Sequence, residues 1–496
     1  MKRSLLLSVV LVLIFFSGLF LRTIALPDNL LFGYEQGRDA LVIKDMFVSH
    51  HFTLLGPKTD IDGIFHGVGY YYLLALLYAL ANFDPARVIF LFCIGNALTC
   101  IIVYFLAKEI IGKTRYALLS SVMAAISFDI IIYGRWLSNV SFSIPLVALF
   151  FYSLTKLVKT KNANYWLLVA LTGGLLSHFE LLHILYALAI VLVAIPLFLL
   201  PVKNRQFFMG IGLFILTNAS FIVFDLRHDF LVAKSIVHYI TAQSLSGDPL
   251  GLLYQYIQFL VINMTSSIFP ANGILIFLFV SALVFLYMRG KKENFQSFQL
   301  ILLLIFFSFP YVFLLKYGLL NHFFAGTAIG WILLFNFLMS KSEKHFSKYA
   351  LFGIYGLLII SNVMFVVRHL TDRTNIFYHA VQQNYIYKDQ LATMDYIFSH
   401  ADTGFTIESF NIPYYHQQAW QYLYDWYGKK NYPAQYARNA SSEGNAKVYI
   451  IIEPGTQGKV LTYWLNKNFS QNTILLNTVK IGEITVEERQ KNSPLF

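Results

Sequence analysis

Lys2-Arg3-Ser4-Leu5-Leu6-Leu7-Ser8-Val9-Val10-Leu11-Val12-Leu13-Ile14-Phe15-Phe16-Ser17-Gly18-Leu19-Phe20-Leu21-Arg22 opens the chain, and its apolar run continues to Leu26. About 20 apolar residues cross a bilayer as a helix, so this run spans. It is longer than the roughly 7–15 apolar residues of a signal peptide and ends without a clean small-residue cleavage site. We read it as an uncleaved anchor. Cations are costly to translocate, so Lys2 and Arg3 place the N-terminus on the cytoplasmic side.

From that fixed point the rest of the basic pattern follows. Lys108/Lys113/Arg115, Lys156/Lys159/Lys161, Lys203/Arg205, Arg289/Lys291/Lys292 and Lys341/Lys344/Lys348 all fall in short turns between apolar segments. Each cluster marks a cytoplasmic turn. Spans are expected near 4–26, 87–108, 116–134, 140–157, 165–182, 184–202, 206–224, 273–289, 298–317, 322–340 and 349–368. The fold class is therefore a polytopic α-helical membrane protein with about 11 transmembrane helices and a C-terminal soluble α/β domain. Counting either 67–83 or 250–270 as a further span would invert every later cluster. Both are read as interfacial helices on the outer leaflet.

The composition agrees. The chain is 57% hydrophobic and only 13% charged, against about 25% charged in soluble domains. The net charge of +11 collects in the cytoplasmic turns, and no nucleic-acid-binding signature accompanies it. Cys93 and Cys100 lie in one apolar segment, and neither can staple the extramembrane parts.

Domain 1–370 is read as the membrane part, with outer segments at 27–83 and 225–272. Domain 371–496 is extracytoplasmic, with helical periodicity at 388–400 and 414–427 and strand-like runs at 447–452 and 473–479. Its length suffices for a core of its own. Its aromatic stretch from Tyr414-Tyr415-His416 to Trp426-Tyr427 either packs that core or binds a ligand by ring stacking.

The first outer loop begins Gly33-Tyr34-Glu35-Gln36-Gly37-Arg38-Asp39-Ala40. Glu35 and Asp39 are four apart, hence on one helix face, with Arg38 beside them. The loop passes Gly56-Pro57-Lys58 and closes Phe65-His66-Gly67-Val68-Gly69-Tyr70-Tyr71-Tyr72-Leu73. Here the chain resembles the GT-C superfamily of glycosyltransferases that depend on polyprenyl-phosphate sugars. It is similar to the bacterial lipid A aminoarabinose transferases and the protein O-mannosyltransferases of that superfamily. Their first outer loop starts with an Asp-Glu-Ala-Arg-Tyr-Ala-like motif and later carries Lys-Pro-Pro-Leu-Tyr-Tyr-Trp-Leu. Glu35 stands at the family's Asp and Gln36 at its Glu. Gly37 and Arg38 stand at its Ala-Arg, and Asp39 at its Tyr. His66 takes the lysine position, Gly67 and Val68 the prolines, and Tyr70 to Tyr72 the aromatic run. Glutamate for aspartate adds a methylene, and Gln36 removes a charge that Asp39 can supply from the next turn.

The resemblance implies sugar transfer from a polyprenyl-phosphate donor to a lipid, glycan or protein acceptor on the outer face. A single displacement needs one carboxylate at the acceptor hydroxyl and donors for the departing phosphate. Glu35 is expected to act as the base or to orient the acceptor, with Asp39 as its substitute. Arg38, Lys58, His66, Tyr70 and Tyr71 accompany them as substrate-binding residues.

Phosphate candidates lie at other outer helix ends. Arg135 is either a ligand or an arginine snorkelling to the interface. Asp225, Arg227 and His228 form either a site or a local ion pair closing a helix. Lys316 and His322 flank a short outer turn. His178, Glu180 and His183 lie between two spans, where ionisable groups line cavities more often than they face lipid. Their spacing is not that of a zinc helix, whose histidines are four apart, so a metal site would need other segments. Some GT-C members use a divalent metal at the first-loop acid and others do not.

A transporter or flippase of lipid-linked sugars is the alternative. It predicts charged residues at mid-span and paired broken helices. A ligase or polymerase of glycans would place its large loop late in the chain. A non-catalytic scaffold gives no reason for Glu35, Asp39 and His66 to share a loop.

Overall fold

The computed structural model describes residues 2–26, 28–59, 61–242, 249–290, 294–310, 319–372, 386–401, 404–411, 417–441, 447–455 and 458–492. The chain divides into two compact units. One comprises Met1–Ile24, Phe52–Leu77 and Ile89–Arg368, the other Ala25–His51, Tyr78–Val88 and His369–Phe496. The segments 25–51 and 78–88, which the sequence reading left with the membrane part, thus group with the C-terminal residues.

The first unit is a helical bundle with two short antiparallel strands, β1 (Leu55–Lys58) and β2 (Phe65–Gly67). Among the described residues, four helical stretches are long and apolar enough to cross a membrane: Leu5–Thr23, Pro85–Ile111, Asn139–Thr160 and Lys348–Thr371. Three more candidates are bent pairs, Thr114–Ile126 with Phe128–Arg135 at 48°, Arg205–Thr217 with Ala219–Arg227 at 55°, and Leu250–Ile268 with Gly273–Arg289 at 95°. Four shorter apolar helices, Gly69–Leu80, Tyr165–Leu176, His183–Phe198 and Phe295–Ile305, complete the set. Leu5, Leu6, Leu13 and Phe20 on the first helix and Tyr349, Phe352 and Met364 near the last are exposed. Apolar residues facing outward in this way suit a lipid surround, which no soluble core would require.

Each bend has a local cause. Ser127 adopts an extended backbone between its two helices. Next to it, the buried Asp129 carboxylate accepts hydrogen bonds from Asn263 Nδ2 (3.0 Å) and Ser266 Oγ (3.4 Å). Asn218 ends one helix at the second break and accepts from the Ser177 hydroxyl at 2.7 Å. Pro270 lies in the third break and has no N–H to give a helix ladder. Asn272 then restarts the chain by accepting from Leu275 N–H at 3.0 Å. The 95° turn sets helix 250–268 across the direction of the next.

In the second unit a four-stranded sheet has the order β3-β4-β6-β5, with β3 (Phe405–Phe410), β4 (Lys447–Ile452), β5 (Thr473–Ile481) and β6 (Ile484–Lys491). β3 and β4 are parallel, and β6 runs antiparallel to both β4 and β5. One face of β4 buries Val448, Ile450 and Ile452 against Leu461, Trp464, Leu465 and Phe469. The helix Tyr387–His400 supplies buried Met394, Ile397 and Phe398. Period-2 alternation in the strands and period-3.6 spacing in the helix account for these faces.

Glu453, directly after β4, is buried and accepts from the Trp420 indole N–H at 2.8 Å. Burial pushes its carboxyl up to about 7, partly opposed by hydrogen bonds from Trp420 and Asn411. The folded state therefore binds a proton more tightly than the unfolded chain, so stability is greatest at acid pH. It falls as pH rises from the ordinary value of 4.5 through about 7, by up to about 3 kcal/mol at this group. Hydrogen exchange of residues 447–453 in the full-length protein, corrected for intrinsic rates, should show more frequent opening at pH 8 than at pH 5. Glu453→Gln should abolish that difference.

Candidate functional site

The carboxylate helix runs Tyr34–Ser49 in the second unit. Gln36 folds back so that its Oε1 accepts from Gly33 N–H at 2.9 Å, closing the first turn. Ala40, Ile43 and Met46 are buried on its inner face. That face lies on the helix Gln418–Leu423 so closely that a Cβ on Gly37 would be 2.3 Å from Ala419 N. Only glycine permits this approach. Lys44 adds an ion pair to Asp425 at 2.7 Å.

Glu35 is half-buried in the first turn, where the helix dipole favours a carboxylate. Asp39, buried one turn on, is held by Arg38, with Nη2 and Nε each 2.9 Å from Oδ1. Arg38 also lies over the Tyr34 ring, 5.5 Å from its centroid. Asp39 is thus engaged in positioning an arginine.

The segment that enters this helix is fixed from the C-terminal residues. Leu30 O accepts from Tyr387 N–H at 2.8 Å, and Phe32 O from Gln390 Nε2 at 3.0 Å. The Phe32 ring meets Tyr387 and Tyr422 at 5.9 and 5.6 Å. Of the aromatic stretch, Tyr414, Tyr415 and His416 lie outside the described residues. Trp426 stacks on Tyr422, and the Tyr427 hydroxyl donates to Asp395 at 2.9 Å. These rings pack against their own unit.

In the first unit, 65–69 is stitched to 177–181 by three bonds. Gly67 N–H donates to Ser177 O at 3.1 Å, Gly69 N–H to His178 Nδ1 at 3.0 Å, and Leu181 N–H to His66 Nδ1 at 3.2 Å. His178 Nε2 faces Thr217 O at 2.8 Å. Because Nδ1 accepts, Nε2 carries the proton, and the imidazole is a neutral bridge between three backbone segments. Gly67 is required beneath it, since a Cβ there would be 2.3 Å from Nδ1. His178→Ala should leave the Gly69 and Thr217 groups unpaired and lower stability by about 2–4 kcal/mol, read as a drop in melting temperature in detergent.

Glu180 is buried beside this stitch, and His183 one turn later is fully buried. The His183 ring packs on Phe307 and Tyr186 at 5.1 and 5.4 Å, and among the described residues neither ring nitrogen has a hydrogen-bond partner. Its imidazole is within electrostatic reach of His66 and His322. Tyr70 and Tyr71 are buried side by side, Tyr70 also against Phe179.

The other expected ligands lie elsewhere in the chain. Arg135 Nη1 donates to the carbonyls of Arg22 (2.8 Å) and Ile24 (2.6 Å), capping the first helix's C-terminal end. Asp225 accepts from Val232 and Ala233 N–H at 2.8 and 3.0 Å, which starts the helix Leu231–Ala242. Arg227 is exposed, and His228 stacks on Phe224 with its ring bound to Phe224 O. Lys58 pairs with Asp62 at 2.6 Å in solvent, and Lys316 lies outside the described residues. Arg22, which the sequence offered only as an interruption, is fully buried and donates Nε to Asn96 Oδ1 at 2.9 Å. A lone arginine at the end of an apolar run was the signal for it. Among the described residues, no group of three or more His, Cys, Asp or Glu is placed to hold a metal ion.

The chain, with a bundle of apolar helices and a small α/β unit, has the GT-C fold. Residues 66–224 match the family described as dolichyl-phosphate-mannose-protein mannosyltransferase. ArnT from Cupriavidus metallidurans in the apo state is similar over 96% of this chain and 97% of that one, with TM-score 0.61 and 10% identity. The same protein bound to undecaprenyl phosphate matches over the same shares, with TM-score 0.57 and 11% identity. No curated protein matches the chain by sequence.

Proposed function

We propose that the chain transfers a sugar from a polyprenyl-phosphate carrier to a lipid, glycan or protein acceptor on the outer face of the membrane. The observation that carries this reading is the Glu35–Arg38–Asp39 helix, set at the start of the first loop in a chain of GT-C fold. The neighbour bound to undecaprenyl phosphate supports the choice of carrier. The alternation of basic turns supports an inside N-terminus and an outer C-terminal unit.

In this mechanism Glu35 takes the proton of the acceptor hydroxyl as the new bond to the anomeric carbon forms. The bond from that carbon to the phosphate oxygen breaks in the same displacement, and polyprenyl phosphate leaves with the electron pair. Charge spreads toward an oxocarbenium-like state, so a fixed carboxylate and fixed phosphate donors lower the barrier. Asp39 holds Arg38 in one geometry.

Purified protein incubated with membranes and a panel of labelled polyprenyl-phosphate sugars tests the reading. Label should appear in an acceptor fraction with at least one donor. Movement of intact lipid-linked sugar across the bilayer without any transfer would establish the flippase alternative instead.

A further inference from the structure

The second unit holds a cavity of about 250 Å³ between the edge strand β3 and the helices Gln418–Leu423 and Pro433–Ser441. Its lining is Ile407 and Ser409 from the strand, with Gln417, Trp420, Gln421, Tyr424 and Asn439. Every polar group there is neutral. Three carboxamides, a hydroxyl and a phenol face it, with no lysine, arginine, aspartate or glutamate among the lining residues.

The polar groups are held in fixed orientations. Asn439 Nδ2 donates to the Tyr424 hydroxyl oxygen at 2.7 Å, while its Oδ1 accepts from Phe405 N–H at 2.6 Å. Gln417 Nε2 is held by Glu408 at 2.7 Å. Tyr424 is fixed by stacking on Phe398 at 5.5 Å. Ser409 differs from these: it is 2% exposed, and its hydroxyl has no hydrogen-bond partner among the described residues. A buried hydroxyl without a partner costs free energy unless something in the cavity bonds to it.

Neutral donors and acceptors beside apolar Ile407 and Trp420 suit a ligand that is itself uncharged and rich in hydroxyls. An anion would meet no cation there. The volume is below the several hundred Å³ usual for drug-sized ligands and fits about one sugar ring. The helix that contributes Trp420 and Gln421 also carries the carboxylate helix, through the Gly37–Ala419 contact. We infer that this cavity is a binding site for one neutral saccharide unit, which holds part of a glycan acceptor. The acceptor role rests on the transferase reading, whereas the saccharide affinity does not.

The test is saturation-transfer NMR on the full-length protein in nanodiscs, without donor lipid. The probes are the methyl α-glycosides of mannose, glucose and galactose, N-acetylglucosamine, and glucuronate as the charged control. At least one neutral probe should receive saturation and glucuronate should receive none. Ser409→Ala removes a hydroxyl with no partner among the described residues, so melting should shift by no more than about 2 °C. Affinity for the neutral probe should nevertheless fall about fivefold or more. Gln421→Ala, at an exposed position, should have the same effect. Glu35→Gln should leave this binding unchanged, which separates the site from the proposed chemistry. Absence of saturation on all neutral probes, or equal affinity in both cavity variants, would overturn the inference.

Discussion

Glu35→Gln is expected to reduce sugar transfer by about 10²- to 10⁴-fold, the usual contribution of a general base, equivalent to about 3–5 kcal/mol of barrier. Glutamine keeps the length and most of the hydrogen bonding of glutamate but cannot take a proton. Donor KM should therefore change little while kcat falls. Asp39→Asn should cost less, about tenfold, because its role is to hold Arg38 and an amide oxygen retains part of that bond. Initial rates with a labelled polyprenyl-phosphate sugar decide the matter. A Glu35→Gln enzyme within threefold of wild type would end the catalytic assignment, and a larger loss in Asp39→Asn would transfer it to Asp39.

The second large effect is structural. Gly37→Val places new carbons where Ala419 N and Cα lie 2.3 and 2.4 Å from even a Cβ. These are backbone atoms, so no side-chain rotation relieves the clash. The helix Tyr34–Ser49 must move off Gln418–Leu423, at a cost of about 3 kcal/mol or more, the upper range of overpacking. Transfer should be lost together with resistance of residues 25–51 to protease. Gly212→Ala is the control: nothing lies within 4 Å of its Cβ position in the helix Arg205–Thr217, so stability should hold or rise slightly. Wild-type protease resistance in Gly37→Val would refute the packing.

The acidic helix shows how much of the site the sequence disclosed. Its existence and face followed from the four-residue spacing of Glu35 and Asp39 and from the family resemblance, because both are local. That Asp39 is occupied by Arg38 was only suggested by adjacency and needed side-chain geometry to establish. His178 looked like a candidate ligand because an ionisable ring between two apolar spans is costly unless used. It is used, but by Gly69 and Thr217, whose distance in sequence hides them. Arg135 and Asp225 likewise have partners at helix ends, and nothing in their own neighbourhoods names those ends.

The membrane character and the α/β character of the tail were determined by the sequence itself. The cost of moving cations through lipid and the periods of helix and strand act residue by residue along the chain. Tertiary structure alone decided that residues 25–51 fold with the C-terminal unit, that Glu453 is buried beneath Trp420, and that Ser409 faces a neutral cavity. Such facts depend on pairs of groups far apart in sequence, and burial and hydrogen bonding are properties of the pair.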